Sequence, residues 1–208
     1  KALELFNKSL QLGEETGKIE FVVKPLNNIG LIYIDQGKYD KALEYSEKSL
    51  EQAKQLGDSV GVSTTLNNIG NIYSLKGELT KAMEYYNESL RISEKFNDIA
   101  GISRASGGLA INFTKMGDIA MALKYFEIDL KASYKMNNAY SILNTMNNIG
   151  IIYENQKDYD KAFEYYDRGL KLAEEVEDKS SICMGVHNCA NVFYAKGEPS
   201  KAIEYYKK

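Results

Sequence analysis

His187 is the only histidine in this 208-residue chain, with Cys183 four residues before it and Cys189 two after. Four residues make one helical turn, so Cys183 and His187 share a helix face. Two ligands do not make a metal site, however, and no His/Cys/Asp cluster with ligand spacing surrounds them. On one helix Cys183 and Cys189 point roughly 120° apart and stand about 9 Å apart along the axis, too far for a disulfide. They read as two free, packed thiols suited to a reducing compartment, so a cytoplasmic location is expected. There is no Walker loop, nucleophile elbow, paired-carboxylate pocket or dinucleotide fingerprint. The chain is therefore expected not to be an enzyme and to carry neither metal nor cofactor.

The sixteen tyrosines could form an aromatic platform for nucleic acid. Six fall at core register (Tyr33, Tyr73, Tyr86, Tyr153, Tyr166, Tyr206), which makes them packing residues. Tyr45, Tyr85, Tyr125, Tyr165 and Tyr205 are expected half-exposed. With 26 Lys and Arg against 29 Asp and Glu, the net charge is −3. A mildly acidic chain has no general pull toward phosphate backbones or anionic membranes, so neither nucleic acid nor membrane is an expected partner. No apolar run approaches the roughly 20 residues that span a bilayer.

What positions these side chains is a repeat. Asn27-Asn28-Ile29-Gly30 recurs as Asn67-Asn68-Ile69-Gly70 and Asn147-Asn148-Ile149-Gly150, and in degraded form as Gly107-Gly108-Leu109-Ala110 and His187-Asn188-Cys189-Ala190. Lys1-Ala2, Lys41-Ala42, Lys81-Ala82, Met121-Ala122, Lys161-Ala162 and Lys201-Ala202 keep the same forty-residue register. Val62, Leu66, Ile69 and Tyr73 lie on one face of a helix, and Ala82, Tyr86, Leu90 and Ser93 on one face of the next. Gly37, Gly77, Gly117 and Gly197 stop the first helix of each unit. Gly17, Gly57, Asn97 and Asn137 stop the second, where the left-handed conformation is required. Asp58, Asp98, Asn138 and Asp178 follow as N-caps, and Pro199 sits at a first helical position. Lys157 replaces one glycine stop, which should cost something but not the turn. Pro25, inside a first helix, should kink that helix or make it start late.

Leu66, Ile69-Gly70, Tyr73, Ala82 and Tyr86 match in order the signature of the tetratricopeptide repeat family. Met146, Ile149-Gly150, Tyr153, Ala162 and Tyr166 match it again, as do Leu26, Ile29-Gly30, Tyr33 and Ala42 with Ser46 in the aromatic place. The chain resembles that family over its whole length, in a forty-residue version whose helices run to roughly 17 residues, about 25 Å. The resemblance implies an all-α fold, a right-handed superhelical solenoid of antiparallel helix hairpins, with first helices lining a concave groove. The expected division is one array: a partial repeat at 1–17, repeats at 18–57, 58–97, 98–137 and 138–177, and a truncated repeat at 178–208. Because it starts and stops within second helices, it reads as part of a longer bacterial regulator or sensor, with a regulatory or kinase domain possible outside it.

The resemblance implies binding of a protein or an extended peptide. Carried over residue by residue, the ligand-facing positions are Lys24, Asn27 and Leu31; Thr64, Asn67 and Asn71; Arg104, Gly107 and Ile111; Asn144, Asn147 and Ile151; and Met184, His187 and Asn191. Each carboxamide can donate to a backbone C=O and accept from an N–H, while Lys24 and Arg104 could hold acidic side chains or a terminal carboxylate. The second asparagines (Asn28, Asn68, Asn148, Asn188) read as hydrogen-bonders between helices. The alternative to peptide binding is a structural or oligomerising array with no ligand. The third repeat is irregular: Gly107 and Gly108 lie inside a helix, and Ile119, Met121 and Ile128 stand where charged or polar surroundings are expected. Drift, or a functional dip able to seat a bulky ligand side chain, would both account for it. Under drift, alanine at both glycines should stabilise the chain.

Overall fold

The computed structural model describes all residues except Lys1, Ile19 and Lys208, together with the side chains of Glu14 and Glu20. Lys1, first of the Lys–Ala series, thus lies outside the described residues. Eleven helices fill the described chain: α1 (Ala2–Thr16), α2 (Glu20–Asp35), α3 (Tyr39–Leu56), α4 (Ser59–Leu75), α5 (Leu79–Lys95), α6 (Ile99–Met116), α7 (Ile119–Lys135), α8 (Ala139–Asn155), α9 (Tyr159–Glu175), α10 (Lys179–Ala195) and α11 (Pro199–Tyr206). They form two compact units, residues 1–116 and 117–208.

The punctuation follows from the chain's stop and cap residues. All six stop glycines have positive φ, and Asn97, Asn137 and Lys157 adopt the same left-handed conformation at φ of 53°, 50° and 61°. Glu177 does so too, at 56°. The next helix starts on a side-chain cap: Asp58 accepts from the Gly61 N–H at 2.9 Å, Asn138 from Ser141 at 3.2 Å, and Asp178 from Ser180 and Ser181 at 3.1 and 3.4 Å. Asp118 and Asp158 cap α7 and α9 similarly. Asp98 differs. Its Oδ2 is buried without a hydrogen bond, 3.5 Å from the Arg104 guanidinium. The helix around Pro25 does not wait for it; α2 is already helical from Glu20.

In the first unit each helix packs on its sequence neighbours, and first helices also touch first helices, α2 against α4 and α4 against α6. The core between them is Leu26, Ile29, Leu66, Ile69, Ile72, Tyr86 and Leu109, each at most 6% exposed. Gly70 allows the close approach: a Cβ there would lie 2.7 Å from the Tyr86 ring. In the second unit α8 touches α10, and Ala162, Tyr166, Leu170, Cys189 and Val192 form the core, with Gly150 against the Tyr166 ring. Cys189 is buried, but Cys183 is exposed, because its place on α10 faces away from α9 and the core. The expectation of two packed thiols therefore holds for Cys189 alone. Tyr206, expected in the core, is 55% exposed.

Candidate functional site

The signature asparagines fall on the face where first helices meet. In the first unit Asn27 is 8% exposed, its Nδ2 3.0 Å from Thr65 Oγ1. Its Oδ1 accepts from Thr65 Oγ1 at 3.1 Å and from Asn68 Nδ2 at 3.4 Å. The second asparagine of one repeat thus bonds the first asparagine of the repeat before it. The second unit builds the same rung, Asn188 Nδ2 to Asn147 Oδ1 at 2.7 Å, but there both residues are half-buried. Inter-helix bonding by second asparagines is therefore found at Asn68 and Asn188.

Asn67 has no such rung. Its neighbour in register is Gly108, which offers no side chain, and the Oδ1 of Asn67 is buried without a partner. The reason for Gly108 is steric. A Cβ there would stand 2.5 Å from Cε1 of Tyr86, whose ring lies between Gly70 and Gly108. Gly108 is thus not an open dip, because the Tyr86 ring fills the space beside it. It seats a tyrosine of the preceding repeat, and alanine there would collide with a ring only 2% exposed. The Tyr86 hydroxyl reaches through to donate to Asn71 Oδ1 at 2.7 Å. Burial raises the Tyr86 phenol above its ordinary value, so it stays a neutral donor.

The remaining expected positions divide between the units. Lys24 and Leu31 are exposed in the first unit, as are Arg104 and Ile111. Arg104 donates to Thr64 Oγ1 at 3.1 Å, which holds its guanidinium across α4 and α6. In the second unit Asn144, Ile151, Met184 and His187 are exposed. His187 Nε2 lies 3.0 Å from Asn191 Nδ2, and Tyr206 donates to Asn191 Oδ1 at 3.0 Å. The structure brings together Asn147, Met184 and Asn188 around one small pocket, and His187, Asn191 and Tyr206 in one chain of contacts. No group of three or more His, Cys, Asp or Glu able to hold a metal occurs among the described residues, and no described helix is long and apolar enough to cross a membrane.

Two features escaped the repeat signature. The first is a stack on the edge of each regular hairpin. Tyr33 lies on Tyr45, Tyr73 on Tyr85 and Tyr153 on Tyr165, with ring centroids 5.4, 5.4 and 5.8 Å apart. Lys41, Lys81 and Lys161 stand 5.6, 5.1 and 5.0 Å above the first ring of each pair. Phe193, Tyr205 and Lys201 repeat the arrangement, and burial pushes the Tyr205 phenol up to about 12. The fixed offset between the Lys–Ala column and the tyrosine columns was the available signal, since a cation over a ring stabilises both. The second feature is a column of small polar residues, Ser49, Ser89 and Asp129, that ends in Gly169.

The tetratricopeptide repeat family model matches residues 22–95 and 141–208, and the chain belongs to that family. The stretch between the two matches holds the irregular third repeat. No curated protein matches the sequence. Among solved structures the chain is similar to BtubC (BKLC) from P. vanneervenii, with a TM-score of 0.87 and 18% identity over 98% of this chain and 86% of that one. It is also similar to the STAND protein PH0952 with a tetratricopeptide repeat sensor from Pyrococcus horikoshii, at 0.82 and 21% over 90% of this chain and 29% of that one. A Rap protein complexed with Competence and Sporulation Factor matches at 0.70 and 19%, over 99% of this chain and 62% of that one. The chain thus spans under a third of the STAND protein and under two thirds of the Rap protein. At these identities the likeness is one of fold, an all-α array of helical hairpins.

Proposed function

We propose that this segment is a binding scaffold whose first-helix faces hold an extended peptide or protein segment, as part of a larger regulatory or sensor protein. The observation that carries this reading is the half-buried Asn147–Asn188 rung. The bond at 2.7 Å fixes both carboxamides in orientation, and it uses one acceptor of Asn147 and one donor of Asn188. Each carboxamide keeps a donor and an acceptor, the pair of groups that an extended backbone needs. Asn144 and His187 flank the rung as exposed polar groups on the same two helices. In the first unit Arg104, exposed, is held by Thr64 and lies 3.5 Å from Asp98, and its remaining guanidinium N–H groups are the donors available to a ligand carboxylate. Asn27, whose carboxamide is engaged inside, supports the scaffold from behind. The Rap structure, captured with Competence and Sporulation Factor, supports a fold of this kind accommodating a partner.

The test is a random-peptide pull-down on the intact chain, repeated with Asn147→Ala and Arg104→Ala. Enrichment that weakens with either change supports the reading. No enriched peptide, or enrichment indifferent to both changes, refutes it. Light scattering on the same samples addresses the rival: a mass that grows with concentration, without peptide enrichment, would mark a structural array.

A further inference from the structure

A cleft of about 300 Å³ opens in the first unit between α1 and α3, with α2 beneath it. That volume reaches the lower end of the range for small-ligand sites, about 300–1,000 Å³. Its apolar lining is aliphatic: half-buried Leu10 of α1, and Val22 and Leu26 of α2, which are 5% and 3% exposed. Its polar lining comes from α3 alone, as Tyr45, Lys48 and Gln52. Lys48 and Gln52 stand four residues apart, so they are neighbours on one face of that helix. The cleft shares no residue with the first-helix positions assigned to a peptide.

The repeat shows which of these residues is unusual. At the place of Gln52, helices α1, α5, α7 and α9 hold Leu12, Ile92, Ala132 and Leu172. A half-buried carboxamide thus stands where those four helices place an aliphatic side chain. Gly13, also on the cleft wall, has a packing reason: a Cβ there would stand 3.0 Å from Val22 Cγ2. Lys48 Nζ bonds Glu44 at 2.7 Å and lies 5.4 Å from the Tyr45 ring centroid, which keeps the ammonium beside the cleft. An ion pair this exposed is weak, so a ligand carboxylate can share the ammonium with Glu44.

We infer that this cleft binds a medium-chain aliphatic carboxylate. Its tail lies against Leu10, Val22 and Leu26, and its carboxylate accepts from the Lys48 ammonium and the Gln52 carboxamide. The division of the lining sets the ligand class. Aliphatic side chains receive a hydrocarbon chain, and each methylene taken from water contributes about three- to fourfold in affinity. The donors of Lys48 and Gln52, one of them charged, select an anionic head over a neutral or cationic one. A single cation matches a single negative charge.

Titration of the intact chain with octanoate, followed by methyl and amide chemical shifts, tests this. Saturable binding is expected, with perturbations at Leu10, Val22, Leu26 and the Gln52 side chain. Hexanoate and butyrate should bind progressively more weakly, by about three- to fourfold per methylene removed. Octylammonium should bind at least about tenfold more weakly than octanoate. Lys48→Met, which keeps an apolar stem and removes the charge, should weaken octanoate about three- to tenfold and leave octanol unchanged. Gln52→Ile, which restores the aliphatic residue of the column, should narrow the cleft and weaken both ligands, with thermal melts confirming that each variant folds. No saturable shift at these residues, an affinity indifferent to tail length or head charge, or variants that bind octanoate as the native chain does would overturn the site. None of those results bears on the first-helix faces, whose test is the peptide pull-down.

Discussion

Asn27 and Asn67 occupy the same place in successive repeats, yet replacing each by leucine, which shares asparagine's side-chain branching, should have opposite effects. At Asn27 the change removes the bonds to Thr65 and Asn68 and strands the Asn68 carboxamide nitrogen, 9% exposed, away from water, while the Thr65 hydroxyl keeps Ser49 as a partner. A net hydrogen bond is worth about 0.5–1.5 kcal/mol, and a stranded buried polar group costs about 1–3 kcal/mol. Asn27→Leu should therefore destabilise by about 2–4 kcal/mol. At Asn67 the change removes a buried carbonyl oxygen that has no partner, and Gly108 supplies nothing to strand. Asn67→Leu should be neutral or stabilising by up to about 2 kcal/mol, recovering desolvation that the asparagine never offset. Urea unfolding followed by far-ultraviolet circular dichroism gives both midpoints, with the slopes checking that the surface exposed on unfolding is unchanged. Equal losses in the two variants, or a loss above about 1 kcal/mol at Asn67, would refute the missing-rung argument.

Gly108→Ala should destabilise by about 1–3 kcal/mol through collision with Tyr86, and Tyr86→Leu in the same chain should recover part of that loss in a double-mutant cycle. Lys157→Gly and Glu177→Gly should each stabilise by about 1 kcal/mol, because both residues hold positive φ; thermal melts of the single variants check this. Burial raises the phenols of Tyr86 and Tyr166 above the ordinary value of 10.0, favouring the neutral form in the folded state. Their contribution is complete below pH 10.0 and is lost as pH rises through the raised values. Stability should thus fall above about pH 10, with these phenolates absorbing only as the helices melt. The Ser181 hydroxyl on Asp178 and the Lys161 ammonium beside Asp158 lower those carboxyls. Their capping contribution is present above the ordinary carboxylate range and lost as pH falls through the lowered values, which acid titration of helicity would follow.

The hairpins were legible in the sequence because their constraints are local. A helix stop requires left-handed backbone, and a tight crossing requires Gly70 or Gly150 opposite an aromatic ring. Such demands repeat with the register, so forty-residue spacing exposes them. Contacts between one repeat's second helix and the next repeat's first helix were not legible in a single-repeat signature. Gly108 read as an irregularity because its reason, Tyr86, lies in the preceding repeat. Asn27 and Asn67 carry the same letter but face different columns, Asn68 and Gly108, and only pairing those columns separates an engaged carboxamide from an orphan. The Lys–Tyr–Tyr stacks are likewise a property of columns compared across repeats.

The central claim, that the first-helix faces do the binding, is tested most directly by amide chemical-shift mapping on the intact chain during titration with a library-selected peptide. The account predicts that the perturbed amides and asparagine side chains cluster on α8 and α10 around Asn147 and Asn188, or on α4 and α6 around Arg104. Perturbations confined to α3, α5 and α9, with those first helices silent, would contradict it.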